Sequence, residues 1–421
     1  MKVFKFGGAS VKDANAVENA RKIVSLYPQD KIVVVVSAMG KTTNQLEEVA
    51  YALWNKDEKT FYVNLEQIQN FHLSIVDQLF GDLKQEIVNV LDDQFTFLKQ
   101  HFEKLELKNF DFVYDQIVSC GEVLSTLIVE RYFRLKGCES SWLDCRKIIL
   151  TTPNFREGKV LWNETQNLVQ STLLPLFQKH AVVVTQGFIG NTSDGDTTTL
   201  GREGSDYTAA ILAFCINAES VTIWKDVDGM LNADPRLFAD TIKLDKISYK
   251  EAIELAYYGA SVIHPKTVKP LQNKNIPLFV KSFIHPEKDG TIIQEDTAFD
   301  AFVPSFIIKK DQVLMSFLPI DFSFIDEENF VDIFQKLTDL GVKVNLMQNT
   351  ALSFSIVFDR AKSDPVSIAH ALKENYKVKY NESLTLATIR HYNAETIAKI
   401  TGLKEVFVEQ RTRQTVRIVM K

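Results

Sequence analysis

Residues Lys31 to Ser37 read KIVVVVS, and no other stretch narrows the available folds as much. A strand with a branched aliphatic residue at every central position has no solvated face, as expected of a parallel strand covered by helices on both sides. A second apolar run, Val3 to Phe6, is followed by Gly7 and Gly8, and then by Val17, Ala20, Val24 and Tyr27 at helical spacing. That is a strand, a glycine turn and a helix. Further strands are readable at Ala181 to Gln186, Val221 to Asp226 and Pro277 to Lys281, so a doubly wound α/β pattern is expected to about Asp300. Between Tyr51 and Leu107, the spacing of Phe71, Ile75, Leu79, Ile87 and Leu91 predicts amphipathic helices forming a layer or lid.

Beyond Asp300 the order of elements changes. Strand Gln312 to Leu318, a helix through Phe330, Ile333, Phe334, Leu337 and Leu340, strands Val342 to Met347 and Ala351 to Phe358, a helix opening at Asp364-Pro365 and strand Tyr376 to Tyr380 make βαββαβ. This is the ferredoxin-like order. Ser383 to Lys421 reads as the same unit cut short, without a second helix or a fourth strand. The expected division is therefore 1–300, 301–381 and 382–421. An incomplete sheet leaves an edge for the first unit or a partner chain to cover, which points to a homodimer or higher homo-oligomer.

A chain of 421 residues exceeds the size at which one core stops growing. Its net charge of -6 offers no cationic field for nucleic acid or a membrane surface. Cys120, Cys138, Cys145 and Cys215 have neither metal-ligand nor disulfide-framework spacing and read as reduced thiols. The opening MKVFKF runs straight into a strand, and no window reaches signal-peptide or transmembrane character, so the expected location is the cytoplasm.

Five segments could carry chemistry. In KFGGAS, Lys5 to Ser10, paired glycines and a following helix suit phosphate, although an ordinary βα turn would look the same. In SCGEVLST, Glu122 opens an apolar helix; it could hold an ammonium group, but by its residues alone it reads more readily as a solvated or capping glutamate. TQGFIGNTSDGDTTTLGREGSDYTAA, Thr185 to Ala210, is a long loop between a strand and a helix, a length uncommon unless functional. It places Arg202, Ser205 and Asp206 at a helix entry suited to carboxylate or phosphate. WKDVDGMLNADPR carries Asp226, Asp228, Asp234 and Arg236 without the ligand order or closing glutamate of a calcium loop. In YYGASVIHP, His264 reads as the start of a helix.

In this order, KFGGAS, SAMGKTTN, SCGE, TTTLGREGSDYTA, WKDVDGMLNADPR and YGASVIHP closely resemble aspartate kinases of the amino acid kinase family, and the tail resembles their paired ACT domains. The resemblance implies a three-layer αβα, mainly parallel sheet followed by ferredoxin-like ACT domains. It implies transfer of the γ-phosphate of ATP, with Mg²⁺, to the side-chain carboxylate of L-aspartate, the first step towards lysine, threonine and methionine. Lys5 would offset charge on the phosphoryl group, Gly7 and Gly8 would cradle the phosphates, and Asp206 would orient Lys5. Arg202 would grip the α-carboxylate of aspartate and Glu122 its ammonium, with Ser37, Thr43 and Ser205 adding hydrogen bonds. Lys225, Asp226 and Arg236 would fall on the ATP side, and lysine or threonine could act as effector at the ACT domains; no protein metal site is implied. Ala9, Glu203, Leu231 and Ser261 depart from the common pattern, and LPIDFSFIDEEN lacks the glycine usual at the effector turn. The alternatives are a kinase acting on glutamate, N-acetylglutamate or carbamate, and a sensor whose kinase domain is inactive. A fused homoserine dehydrogenase is excluded, because no GxGxxG follows a strand.

Overall fold

The computed structural model describes residues 1–260 and 263–421. Its chain forms two compact units, one of Met1–Met230, Lys243–Ile253 and Val262–Phe299, the other of Leu231–Ile242, Glu254–Ser261 and Asp300–Lys421.

In the first unit, strands β1 (Lys2–Phe6) and β2 (Ile32–Val36) flank helix α1 (Ala14–Ser25) in sequence. A helical stretch follows, α2 (Thr42–Trp54), α3 (Glu58–Phe80), α4 (Gln85–Lys104), α5 (Phe110–Val118) and α6 (Cys120–Leu135). Then come β3 (Ser140–Leu143), α7 (Trp162–Leu168), a π-turn, α8 (Leu174–Leu176), β4 (Val182–Gln186), the hairpin β5 (Ile189–Asn191) and β6 (Thr197–Thr199), α9 (Gly204–Ile216) and β7 (Ser220–Lys225). The unit ends with β8 (Lys246–Ser248), α10 (Tyr249–Tyr258, whose end enters the second unit), α11 (Pro265–Gln272), β9 (Leu278–Ser282) and β10 (Thr291–Gln294).

The large sheet runs β3-β4-β2-β1-β7-β9-β10-β8. All its pairings are parallel except β9 with β10. Every residue of β2 and β4 is buried, so the KIVVVVS run is covered on both faces by helices as its composition demands. α9 packs on β1, β2 and β7, and α6 on β2, β3 and β4. The α1 terminus differs from the expectation of an open anion site after the glycines. A short 3-10 turn, Gly8–Val11, intervenes, and the Asp13 carboxylate caps α1 by accepting from the Ala16 N–H at 2.8 Å.

Phe110–Leu135 is long and apolar enough to cross a membrane by length and composition, contrary to the sequence expectation that no window reaches that length. It forms α5 and α6, and 94% of its apolar window is buried inside the protein. The four cysteines are free thiols, and His264 caps α11 by accepting from the Lys266 N–H at 3.1 Å.

In the second unit, β11 (Ser305–Pro319), α12 (Glu327–Asp339), β12 (Val344–Asn349), β13 (Phe354–Asp359), α13 (Pro365–Leu372), β14 (Tyr376–Arg390), α14 (Ala394–Thr401), β15 (Val406–Arg411) and β16 (Thr415–Met420) build one sheet, β12-β13-β11-β14-β16-β15. Both long strands extend beyond the short ones legible in the sequence. Register shifts in their pairing fall between Lys309 and Leu314, beside Asp311 and Ser383, whose φ angles are 53° and 59°. The C-terminal half of β11 and the N-terminal half of β14 complete the first ferredoxin-like unit. The other halves, Ser305 to Lys309 paired with Leu386 to Arg390, serve the second.

The second unit therefore has its fourth strand, supplied from upstream of the first, which corrects the expectation of an incomplete sheet. Ala233 and Phe238 of the Leu231–Ile242 segment join Phe306, Ile389, Ile400 and Ile418 in one core on its helical side. The two edges also meet, with Gln410 Nε2 donating to the Met347 carbonyl at 2.6 Å.

Candidate active site

Lys5 stands near the C-terminal end of β1, whose neighbours in register are β2 and β7. Side chains alternate along a strand, so Phe4 and Phe6 are buried in packing while Lys5 is free to serve the sheet's end. Its ammonium lies 2.6 Å from Asp206 Oδ1, and Lys225, at the end of β7, reaches Oδ2 of the same carboxylate at 3.6 Å. Burial would raise the pKa of Asp206, but the ammonium groups of Lys5 and Lys225 outweigh it and hold the carboxylate below its ordinary range. Asp206 sits in the first turn of α9, where the helix dipole also favours an anion.

These groups line a cavity of about 600 Å³. Ser37 and Thr43 border it from the segment after β2, Glu122 from α6, and Arg202 and Ser205 from the entry to α9. The α9 entry comes this close because residue 187 has no side chain: a Cβ there would lie 2.4 Å from Ser205 Cβ.

Glu122 is neither solvated nor a cap. It is 2% exposed, with Oε1 accepting the Ala38 N–H at 3.3 Å. Oε2 is buried with no hydrogen-bond partner among the described residues. Burial pushes its pKa up to about 8, a rise that the Ala38 N–H and the charge of Lys5 only partly oppose. A buried carboxylate oxygen without a donor costs free energy until something supplies one. Arg202 is exposed and forms no hydrogen bond or ion pair among the described residues.

Four of the sequence-predicted residues lie off the cavity wall. A Cβ on Gly8 would meet the Ala38 carbonyl at 2.7 Å and that of Gly40 at 3.0 Å. This glycine therefore admits the chain's own 38–40 turn, and Gly7 stands beside Lys5 Nζ. Asp226 is exposed next to Lys225. Arg236 belongs to the second unit, where it is 85% exposed and held by Asp234 at 2.7 Å.

Among the departures from the family pattern, Ala9 is exposed and Leu231 lies in the second unit. Ser261 lies outside the described residues. Glu203 occupies the left-handed region at φ 54°, a conformation that favours glycine, and its Oε2 is buried without a hydrogen-bond partner among the described residues.

The sequence reading missed Tyr114, Arg156, Glu157, Phe188 and Thr199, all on the wall. It also missed Asp115, which organises them: Oδ2 accepts the Arg156 N–H at 2.8 Å and the Thr199 N–H at 2.9 Å, and Oδ1 accepts the Thr199 hydroxyl at 2.7 Å. Burial raises the Asp115 pKa to about 6 against these bonds. Its only signal was a carboxylate inside the apolar run FDFVYDQIV.

Residues 1–282 match the amino acid kinase family model. The chain belongs to the amino acid kinase family. Within that family it is similar to the lysine-sensitive aspartokinase 3 of Escherichia coli, with 31% identity over 96% of this chain and 90% of that one. It is also similar to the chloroplastic aspartokinase 1 of Arabidopsis thaliana, with 30% identity over 86% of this chain and 63% of that one. Among solved structures, Escherichia coli aspartokinase III in complex with aspartate and ADP superposes with a TM-score of 0.81 at 27% identity, covering 100% of this chain and 96% of that one. The same enzyme in complex with lysine and aspartate gives 0.82 at 27% identity, covering 100% and 95%. The mostly parallel sheet with helices is the amino acid kinase fold, and the antiparallel C-terminal sheet that follows fits ACT domains.

Proposed function

We propose that the cavity is where an aspartate kinase brings L-aspartate to the γ-phosphate of ATP. A carboxylate oxygen of aspartate attacks the γ-phosphorus, the bond from that phosphorus to the bridging oxygen breaks, and ADP and 4-phospho-L-aspartate result. The acceptor is already ionised at neutral pH, with an ordinary carboxyl pKa of about 4, so no general base is needed. Catalysis rests on positioning and charge stabilisation.

Lys5, aligned by Asp206, offsets charge on the phosphoryl group, with Lys225 beside it. Arg202 takes the α-carboxylate and Glu122 the ammonium, while Ser37, Thr43 and Ser205 supply hydrogen bonds from the wall. Magnesium is proposed to arrive with ATP as part of the substrate. Gly7, Gly8 and Asp226 are assigned to the ATP side from the family resemblance, and so is Arg236.

The observation that carries this reading is the buried Oε2 of Glu122, which has no donor among the described residues, in the same cavity as the Lys5–Asp206 pair. It calls for a cationic donor on the acceptor, which aspartate has and N-acetylglutamate and carbamate lack. ADP release should be measured with MgATP and aspartate, glutamate, N-acetylglutamate or carbamate, with hydroxylamine trapping acyl phosphate. Hydroxamate from aspartate alone is expected. Turnover of glutamate in place of aspartate, turnover of an acceptor without an ammonium group, or none from any acceptor with folded protein, would defeat the reading.

The second unit is proposed to bind an amino-acid effector, lysine or threonine, and to join two chains in a homodimer. The completed sheet removes the original reason for a dimer. Ile320, Phe322 and Phe324 provide another: they are 54%, 84% and 73% exposed along one connection. A monomeric mass in light scattering at micromolar protein would rule the dimer out.

A further inference from the structure

Arg156 combines three properties that the proposed reaction leaves unused. Its backbone is left-handed at φ 64°, a conformation that disfavours a side chain. That conformation is held by the bond from its N–H to the buried Asp115, whose same oxygen fastens Thr199. Its guanidinium lies over the Tyr114 ring, 4.2 Å from the centroid, and both residues line the cavity.

Strain in a surface loop is ordinarily relieved by substitution; where the surroundings impose it on a charged residue at a site wall, a function for the side chain is the natural reading. The guanidinium is 40% exposed and is only loosely paired among the described residues. Its carboxylate neighbours are Asp111 at 3.4 Å and Glu47 at 3.9 Å, side chains 56% and 35% exposed, and neither contact is a bidentate fork. Most of its five N–H donors remain available.

The segment also abuts the loop that carries Arg202. A Cβ on Gly201 would meet the Arg156 carbonyl at 3.3 Å and Glu157 Cγ at 3.6 Å. Two arginine-bearing segments thus pack together on one wall of the cavity. The cations at the other end, Lys5 and Lys225, are already engaged by Asp206.

We propose that Arg156 is a specificity-determining residue, the second guanidinium that, beside Arg202, retains an acceptor carrying two carboxylates. This rests on the reading of the cavity as an acceptor site. Tyr114 fixes the plane of the guanidinium, and Asp115 fixes the strap that brings it in. An acceptor with one carboxylate and one ammonium is satisfied by Arg202 and Glu122 alone and gains nothing from Arg156.

The test is Arg156→Gly in the full-length enzyme, since glycine adopts the left-handed backbone freely and should not lower the Tm. KM for aspartate should rise about 10- to 100-fold, as for a lost charged hydrogen bond, with kcat within about twofold. Millimolar guanidinium ion should restore part of the affinity, and competitive inhibition by alanine, with its single carboxylate, should be unchanged. An unaltered KM for aspartate overturns the proposal. So does a raised KM that comes with a lowered Tm and no rescue by guanidinium, because Arg156 would then only brace the loop. Absence of aspartate turnover by the wild-type enzyme would instead count against the acceptor reading itself, and is seen before any variant is made.

Discussion

The two ends of the cavity treat buried charge in opposite ways. At one end Asp206, 2% exposed, is flanked by two lysines, and its charge is settled within the protein. At the other, Glu122 is equally buried but has one weak partner and one bare oxygen, and Arg202 has no partner among the described residues. A buried charge costs several kcal/mol unless it is paired, so Asp206 keeps its charge beside the two lysines, whereas Glu122, its pKa raised to about 8, is held largely neutral until a cation pairs with it. On the proposed function, the paired end serves charge that develops during phosphoryl transfer and the unpaired end is completed by the acceptor.

The contrast can be broken most directly at Lys5. Lys5→Ala should lower kcat roughly 100- to 1000-fold, as when a charge-stabilising donor is lost. It should also lower Tm, because Asp206 keeps only the more distant Lys225. Lys5→Met with Asp206→Asn should recover Tm without recovering turnover; turnover within tenfold of wild type in either variant would contradict the assignment.

Glu122→Gln is next. It should raise KM for aspartate about 10-fold or more, the cost of losing a charged hydrogen bond, while leaving the Tm of the ligand-free protein at neutral pH unchanged or higher. A large loss of stability at unchanged KM would make Glu122 a structural residue.

The pH dependence sharpens the same point. The folded pKa of Glu122, about 8, is raised above its ordinary value of 4.5, so the protonated form favours the native state. That contribution is full below pH 4.5, shrinks as pH rises, and is lost above about 8. The Tm of ligand-free wild type should therefore fall more across that window than that of Glu122→Gln, and saturating aspartate should reduce the difference. Parallel Tm profiles would refute the linkage.

The smallest effect concerns Glu203, which also has a buried oxygen without a hydrogen-bond partner among the described residues. If its left-handed backbone is simply strained, Glu203→Gly should stabilise the protein by about 1 kcal/mol with little change in kcat/KM, read by urea denaturation and steady-state rates. A marked loss of kcat/KM would mean that this carboxylate, like Glu122, serves a ligand.

Much of the fold was legible because it depends on local pattern. The all-aliphatic KIVVVVS could only be a covered parallel strand, and the order of elements after Asp300 could only be ferredoxin-like. Lys5, Arg202, Ser205 and Asp206 were legible as well, since they lie in short segments at strand ends and a helix entry. Glu122 was not, because its burial depends on the Ala38 turn, 84 residues away in sequence. Arg156 and Asp115 escaped for the same reason, their bond joining positions 41 residues apart.

The sequence by itself determined the covered parallel sheet, the glycine turns and the candidate site residues at the strand ends and the α9 entry, because each follows from the chemistry of a few adjacent side chains. Only the tertiary structure decided that β11 and β14 each serve two ferredoxin-like units and that Glu122 is buried without a donor among the described residues. It alone brought Arg156 to the cavity wall. Strand pairing, desolvation and charge pairing depend on which distant segments meet, and that is fixed when the chain packs.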